Sequence, residues 1–92
     1  MGKMTDEKNL EVSVFYEKHL VEIGAKKVKA DYNAKPLGDD DINHLLSMIP
    51  EMREFIKTGR REKFFRWLGF IQGVLWKRGD FTLNELRNHN KP

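Results

Sequence analysis

The stretch from Arg60 to Arg78, RREKFFRWLGFIQGVLWKR, constrains this chain more than any other because it is apolar in two directions at once. It holds both tryptophans and three of the six phenylalanines. Successive residues of an α-helix are set about 100° apart, which gathers Phe64, Trp67, Leu68, Ile71, Val74 and Leu75 on one arc of roughly 120°, the pattern of a core-facing helix. A second stripe follows at i, i+4, i+7 and i+11: Phe65, Gly69, Gln72 and Trp76, with Gly73 beside it. A helix apolar on two sides needs partners on two sides, so this stripe predicts a seam against another helix of the chain or against another copy of it. Gly69 and Gly73 point the same way. Each costs a helix interior up to about 1 kcal/mol against alanine, a cost that a closely approaching backbone would offset.

The 92 residues make a single domain, and a chain this short buries only about 60 to 65 per cent of its unfolded surface, so every apolar face has to be used. Polar Met1 to Asn9 is expected to fray. Val12, Phe15, Tyr16, His19, Leu20 and Ile23 recur at helical spacing and predict a helix over 11–23, closed by Gly24. Leu10, Val12, Val14 and Tyr16 also alternate as a strand would, over a shorter run. Residues 25–39 keep no period and contain Pro36 and Gly38, so they read as a long loop: a wrapping segment pinned by Val28, Tyr32 and Leu37, or a functional loop. Asp39, Asp40 and Asp41 are placed to cap a helix that turns Ile42, Leu45, Leu46 and Ile49 inward and His44 outward.

Pro50 predicts a break or kink in that helix, with Met52, Phe55 and Ile56 inward beyond it. Gly59 then ends it, and the tight link to Arg60 makes 41–57 and 60–78 an antiparallel helical hairpin. After Gly79 and Asp80 comes a capping box, Thr82 with Glu85, and a Phe81–Leu86 staple that opens a last helix over 83–89 with Leu83 and Leu86 inward. The fold class is therefore all-α: a small four-helix domain around a two-faced helix.

Charge is divided unevenly along the chain. Residues 1–52 carry 7 Lys/Arg against 10 Asp/Glu and residues 53–92 carry 10 against 4, so the halves stand at −3 and +6 within a net +3. With no cysteine, neither a disulfide framework nor a thiolate zinc site is available. No apolar run reaches the roughly 20 residues of a membrane span, and a soluble, cytoplasmic protein is expected. His19, His44 and His89 lie far apart, without a carboxylate at helical spacing to build a triad or a metal site. The three aspartates have no second acidic cluster to complete a cation site. Gly69, Gly73 and Gly79 fall in or just after a helix rather than in a phosphate-cradling loop. No catalysis, metal or cofactor is expected. The candidate binding residues are Arg60, Arg61, Lys63 and Arg66, cations at the positive end of a helix, where the macrodipole gives them no reason to be.

The run from Ser47 to Trp76, SMIPEMREFIKTGRREKFFRWLGFIQGVLW, with ELRNHNKP at Glu85 to Pro92, resembles a set of short accessory proteins carried by tailed bacteriophages and prophages. The resemblance covers about the C-terminal half, and its most specific block is Gly59 to Trp76. It implies an accessory role in which the protein binds a host or defence component, and it brings no catalytic residues. Three readings follow. The first is a non-enzymatic, homo-oligomeric binder of a host or defence protein. The second is a helix-turn-helix-like nucleic-acid binder that reads bases with Arg87, Asn88, His89 and Asn90. The third is a binder that sequesters small anionic nucleotides.

Overall fold

A computed structural model describes residues 5–28 and 40–91. Four α-helices run in chain order, α1 Asp6–Glu22, α2 Asp40–Lys57, α3 Arg61–Lys77 and α4 Leu83–His89, and the described residues contain no strand.

The N-terminal helix begins earlier than its apolar stripe implies. The Thr5 side chain accepts the Lys8 amide proton at 3.1 Å, and Asp6 and Glu7 sit in the first turn against the positive end of the dipole. Residues 5–9, expected to fray, are therefore capped and helical. The segment from Leu10 to Tyr16 is helix, not strand. Val12, Tyr16 and Leu20 point inward as expected, and Asn9 and Ser13 extend the buried stripe by one turn. Phe15 and Ile23, expected inward, lie at the margin and are exposed, although the Phe15 ring still packs against Phe81 and His89.

Three helices end by the same device. At Gly24 the amides of Gly24 and Ala25 bond back to the Val21 and Leu20 carbonyls. Gly59 and Arg60 do so to Ile56 and Phe55, and Gly79 and Asp80 to Trp76 and Leu75. Each glycine holds a positive φ, a conformation that costs other residues a Cβ clash.

The α2 helix runs through Pro50 without a break. Pro50 is exposed, while Ile49 and Met52 beside it are fully buried, so the packed face holds the helix together across the hydrogen bond that proline cannot donate. At its start, Asp41 accepts the neighbouring Ile42 amide at 2.7 Å and receives the Arg78 guanidinium at 3.3 Å on both oxygens. It thus ties α2 to the end of α3 as well as serving the helix start. Asp39 and the Asp40 side chain lie outside the described residues, as do Lys29, Tyr32 and Leu37 of the long loop. Val28, expected to pin the loop, is exposed; the loop's start is held by the Lys26 amide, which donates to Asn43 at 2.7 Å.

The core places α2 between α1 and α3. Both pack closely on α2, and α1 meets α3 through long side chains, Asp6 with Arg61 and Tyr16 with Gln72. Tyr16 and Leu20 of α1, Leu45, Ile49 and Met52 of α2, and Phe64, Leu68, Ile71 and Leu75 of α3 enclose one another completely. Arg53 of α2 reaches α1 with a two-pronged bond to Glu17, at 2.8 and 3.3 Å, and a third bond to the Ser13 hydroxyl. Phe81 packs on this core beside Leu86, as the staple requires, but Leu83 faces out.

Asn9 is completely buried, and neither atom of its amide meets a hydrogen-bond partner among the described residues. A buried, unbonded amide costs about 1 to 3 kcal/mol. Replacing Asn9 with the similarly shaped leucine is expected to recover energy of that order and raise the melting temperature by several degrees, read by circular dichroism. A lower melting temperature would show that the amide is satisfied in solution.

Candidate interaction surface

The hairpin tip and the outer side of α3 carry the residues singled out from the sequence. At the tip, the reversal at Gly59 delivers Arg60 to the start of α3, where its side chain makes no capping bond. The Arg60 guanidinium lies 5.7 Å from the Phe55 ring centroid and the Lys63 ammonium 4.9 Å from it, while Trp67 abuts the same ring edge-on at 4.9 Å. Phe55 is therefore a platform for two cations, each held by attraction to the ring face. Arg61 reaches Asp6 of α1 at 3.0 Å in an exposed ion pair. Arg66, one turn on, is exposed and has no ion-pair partner among the described residues.

The second stripe of α3 is mostly open. Phe65 is 39% exposed and Trp76 50%, and Phe70 on the far flank is 52% exposed, its ring approaching His44 at 6.4 Å. Among the described residues, the expectation that a backbone of this chain closes on Gly69 and Gly73 is not met: a Cβ placed on either glycine has nothing within 4 Å. Where α1 does meet α3, it does so at Arg61 and Gln72, through Asp6 and Tyr16. A bulky residue at either glycine therefore has room within the chain and gives no cause to unfold it.

Gln72 departs from the stripe. It is 9% exposed, and its amide nitrogen donates to the Tyr16 hydroxyl at 3.0 Å and to Asn90 at 2.7 Å; the Asn90 amide returns a bond at 3.1 Å. It belongs to a polar junction that seats α4 between α1 and α3, not to the open seam. Tyr16 is 2.7 Å from His89 Nδ1, and burial pushes the Tyr16 phenol up to about 12, with the Gln72 bond acting in the opposite sense. The phenol thus stays protonated and donates to His89, whose ring nitrogen accepts. His19 of α1 meets Asp80 at 2.9 Å, and the Phe81 ring contacts His19 in a tilted arrangement at 4.7 Å and His89 edge to face at 4.9 Å.

The imidazole–carboxylate pair was missed because its members are 61 residues apart, and helical spacing could not reveal it. Its chemistry as found is structural: it ties the α3–α4 turn to α1. Among the described residues no group of three or more His, Cys, Asp or Glu could hold a metal. Two of the four residues proposed to read bases, His89 and Asn90, are committed inward, leaving Arg87 and Asn88 exposed on a seven-residue helix. The capping box forms as expected, with the Thr82 hydroxyl accepting from Glu85 at 3.1 Å and the Glu85 carboxylate accepting the Thr82 amide at 3.0 Å; these bonds hold that carboxyl below its usual range. A shallow groove between α1 and α2, bordered by Val14, Val21 and Leu46, lies away from all of these residues.

The class is that of a small all-α domain with an open helix face and a cationic hairpin tip. Comparison with protein-family models, curated proteins and solved structures finds no match. No described helix is long and apolar enough to cross a membrane.

His89 is held below the usual histidine range, chiefly by burial, with nearby Lys8 and His19 adding to the effect and Glu85 opposing it. A depressed histidine favours protonation of the unfolded chain, so its contribution to stability is complete above the unfolded pKa near 6.5 and is lost as pH falls below it. Protonation also removes the acceptor that Tyr16 uses. The melting temperature is expected to drop by a few degrees from pH 7.5 to 5.5, and His89→Gln should flatten that dependence; an equally steep fall in the variant would assign it to other groups.

Proposed function

We propose that this chain is a non-enzymatic accessory protein of a tailed phage or prophage, acting in the host cytoplasm by occupying a host or defence protein, and that it does so as a homo-oligomer. The carrying observation is the open side of α3, where Phe65, Phe70 and Trp76 are exposed beside a cationic hairpin tip. Aromatic rings and arginines are the residues that dominate binding surfaces, and single-chain packing gives no account of rings left open on this side. At the tip, Arg60 and Lys63 are steadied over Phe55, so an acidic partner meets cations already partly ordered.

A second reading uses the same cations for a small anionic nucleotide. It is favoured by the start of α3: Thr5 and Thr82 cap their helices with side-chain oxygens, whereas Arg60 leaves the first amides of α3 without a side-chain acceptor. Free amides at a helix start attract phosphate.

The test is affinity capture from infected-cell lysate with mass spectrometry, comparing the wild type with Arg60→Glu, Arg61→Glu and Lys63→Glu combined. The Arg61–Asp6 pair is exposed and worth at most about 1 kcal/mol, so the variant should remain folded. Recovery of a specific protein should fall at least tenfold in the variant; equal recovery would remove the tip from the function. Calorimetric titration with nucleotides separates the readings, since saturable heat lost in the same variant would replace the protein partner with the nucleotide.

A further inference from the structure

The solvent-facing arc of α3 lacks one kind of residue that exposed helix faces usually carry. From Lys63 to Gly79 the chain contains no Asp or Glu. Beyond the first turn, the exposed positions of α3 are three rings (Phe65, Phe70, Trp76), two cations (Arg66, Lys77) and two glycines. Carboxylates near its two ends are already engaged, Asp6 by Arg61, Asp41 by Arg78 and Asp80 by His19. A face of rings and cations with no anion on it suits a ligand that is itself anionic and flat-ringed. We infer that this face binds single-stranded nucleic acid, with phosphates meeting Arg66 and Lys77 and bases stacking on Phe70 and Trp76. The inference goes beyond the protein partner proposed above and does not depend on it.

Helix geometry arranges these groups as a track. At about 100° per residue, Phe65 and Trp76 stand on one shoulder of the arc and Phe70 about 120° from Trp76 on the other, with Arg66 and Lys77 on the crown between. The two cations are about 16 Å apart along the axis, a span that a few nucleotides cover. A strand laid along the crown sets its phosphates over the cations and lets its bases fall to the shoulders. The crown is low, since a Cβ on Gly69 or Gly73 would meet nothing within 4 Å. Trp76 is half exposed, and its indole has no ring contact or hydrogen bond among the described residues; Arg66 and Lys77 have no ion-pair partner there. Lys63 and Arg60, steadied over Phe55, continue the cationic track toward the hairpin tip.

Rings beside a cationic track hold single strands without reading sequence, because every base has a face to stack. A duplex offers these rings nothing, as its bases already stack on one another. The arc also has no polar side chain for base edges: Gln72, the one amide of α3, is turned inward to Tyr16 and Asn90. A lipid surface fits less well. An interfacial helix sinks its rings and keeps its cations to the polar side, whereas here Arg66 and Lys77 lead and the rings stand to either side of them.

Fluorescence anisotropy of the full chain with labelled single strands of about 20 nucleotides, one of DNA and one of RNA, tests this. Binding of either supports the inference, and the tighter strand identifies the source. The dissociation constant should lie between about 1 and 100 µM at low salt, and about three or four phosphate contacts should weaken it roughly 20- to 50-fold from about 50 to 200 mM salt. Trp76→Ala and Phe70→Ala alter exposed rings, so each should keep the wild-type melting temperature and lose at least about fivefold in affinity. Arg66→Gln should weaken binding and flatten the salt dependence by about one contact. Binding of neither strand, equal binding to a duplex of the same sequence, insensitivity to salt, or full affinity in both ring variants would each overturn the inference. So would binding to vesicles of equimolar phosphatidylcholine and phosphatidylserine in place of the strands, which would assign the face to a lipid surface. A chain that binds a strand but captures no protein would overturn only the host partner, and one that captures a protein but binds no strand would overturn only this inference.

Discussion

The structure turns on the hydrogen bonds that join Tyr16, Gln72, His89 and Asn90. α1 and α3 each pack on α2, and the described helix that bridges them at one end, α4, has only seven residues. A helix of two turns does not hold itself in water. It persists because Leu86 and Phe81 supply apolar anchorage and the amide pair of Gln72 and Asn90 closes its far end. The buried phenol of Tyr16 requires partners and obtains them from two other helices. That junction decides which edge of α3 is covered and, by default, which stays bare.

Most of the fold was legible in the sequence because its signals are local. The inner arc of α3, the Thr82–Glu85 box and the glycines after α1, α2 and α3 each depend on residues within a turn or two. The failures share a cause. Gln72 and Trp76 are about 40° apart on one helix, and nothing within that helix says that α4 folds back over the first and not the second. His19 and Asp80 meet only after three helices have been arranged. Leu83 looked inward by residue type, yet it is exposed while Phe81 and Leu86 pack on the core. The candidate cations were legible as a run, but their arrangement was not, since the Phe55 platform comes from the preceding helix.

Two surfaces result, and they are set apart along one helix. The tip owes its form to a tight reversal that leaves α3 without a side-chain cap and lets cations crowd its first turn. The face beyond it is left exposed at Phe65 and Trp76 by the described residues. One is defined by charge held in place and the other by apolar surface left over, so each can change without disturbing the other. The polar junction of α4 is made of neutral side chains, and no ion pair among the described residues joins it to the tip or to the open face.

The three glycine reversals also bear on how the chain reaches this structure. A helix end closed by bonds to its own last turn forms as soon as that turn exists and waits for no distant contact. The α2–α3 hairpin is thus assembled from neighbouring pieces, the circumstance in which small helical proteins fold within microseconds to milliseconds. Bringing α1 and α4 together joins opposite ends of the chain, through Tyr16 and His89, 73 residues apart. Among the described residues this is the side-chain bond of longest sequence separation, and it can form only when both end helices are in place.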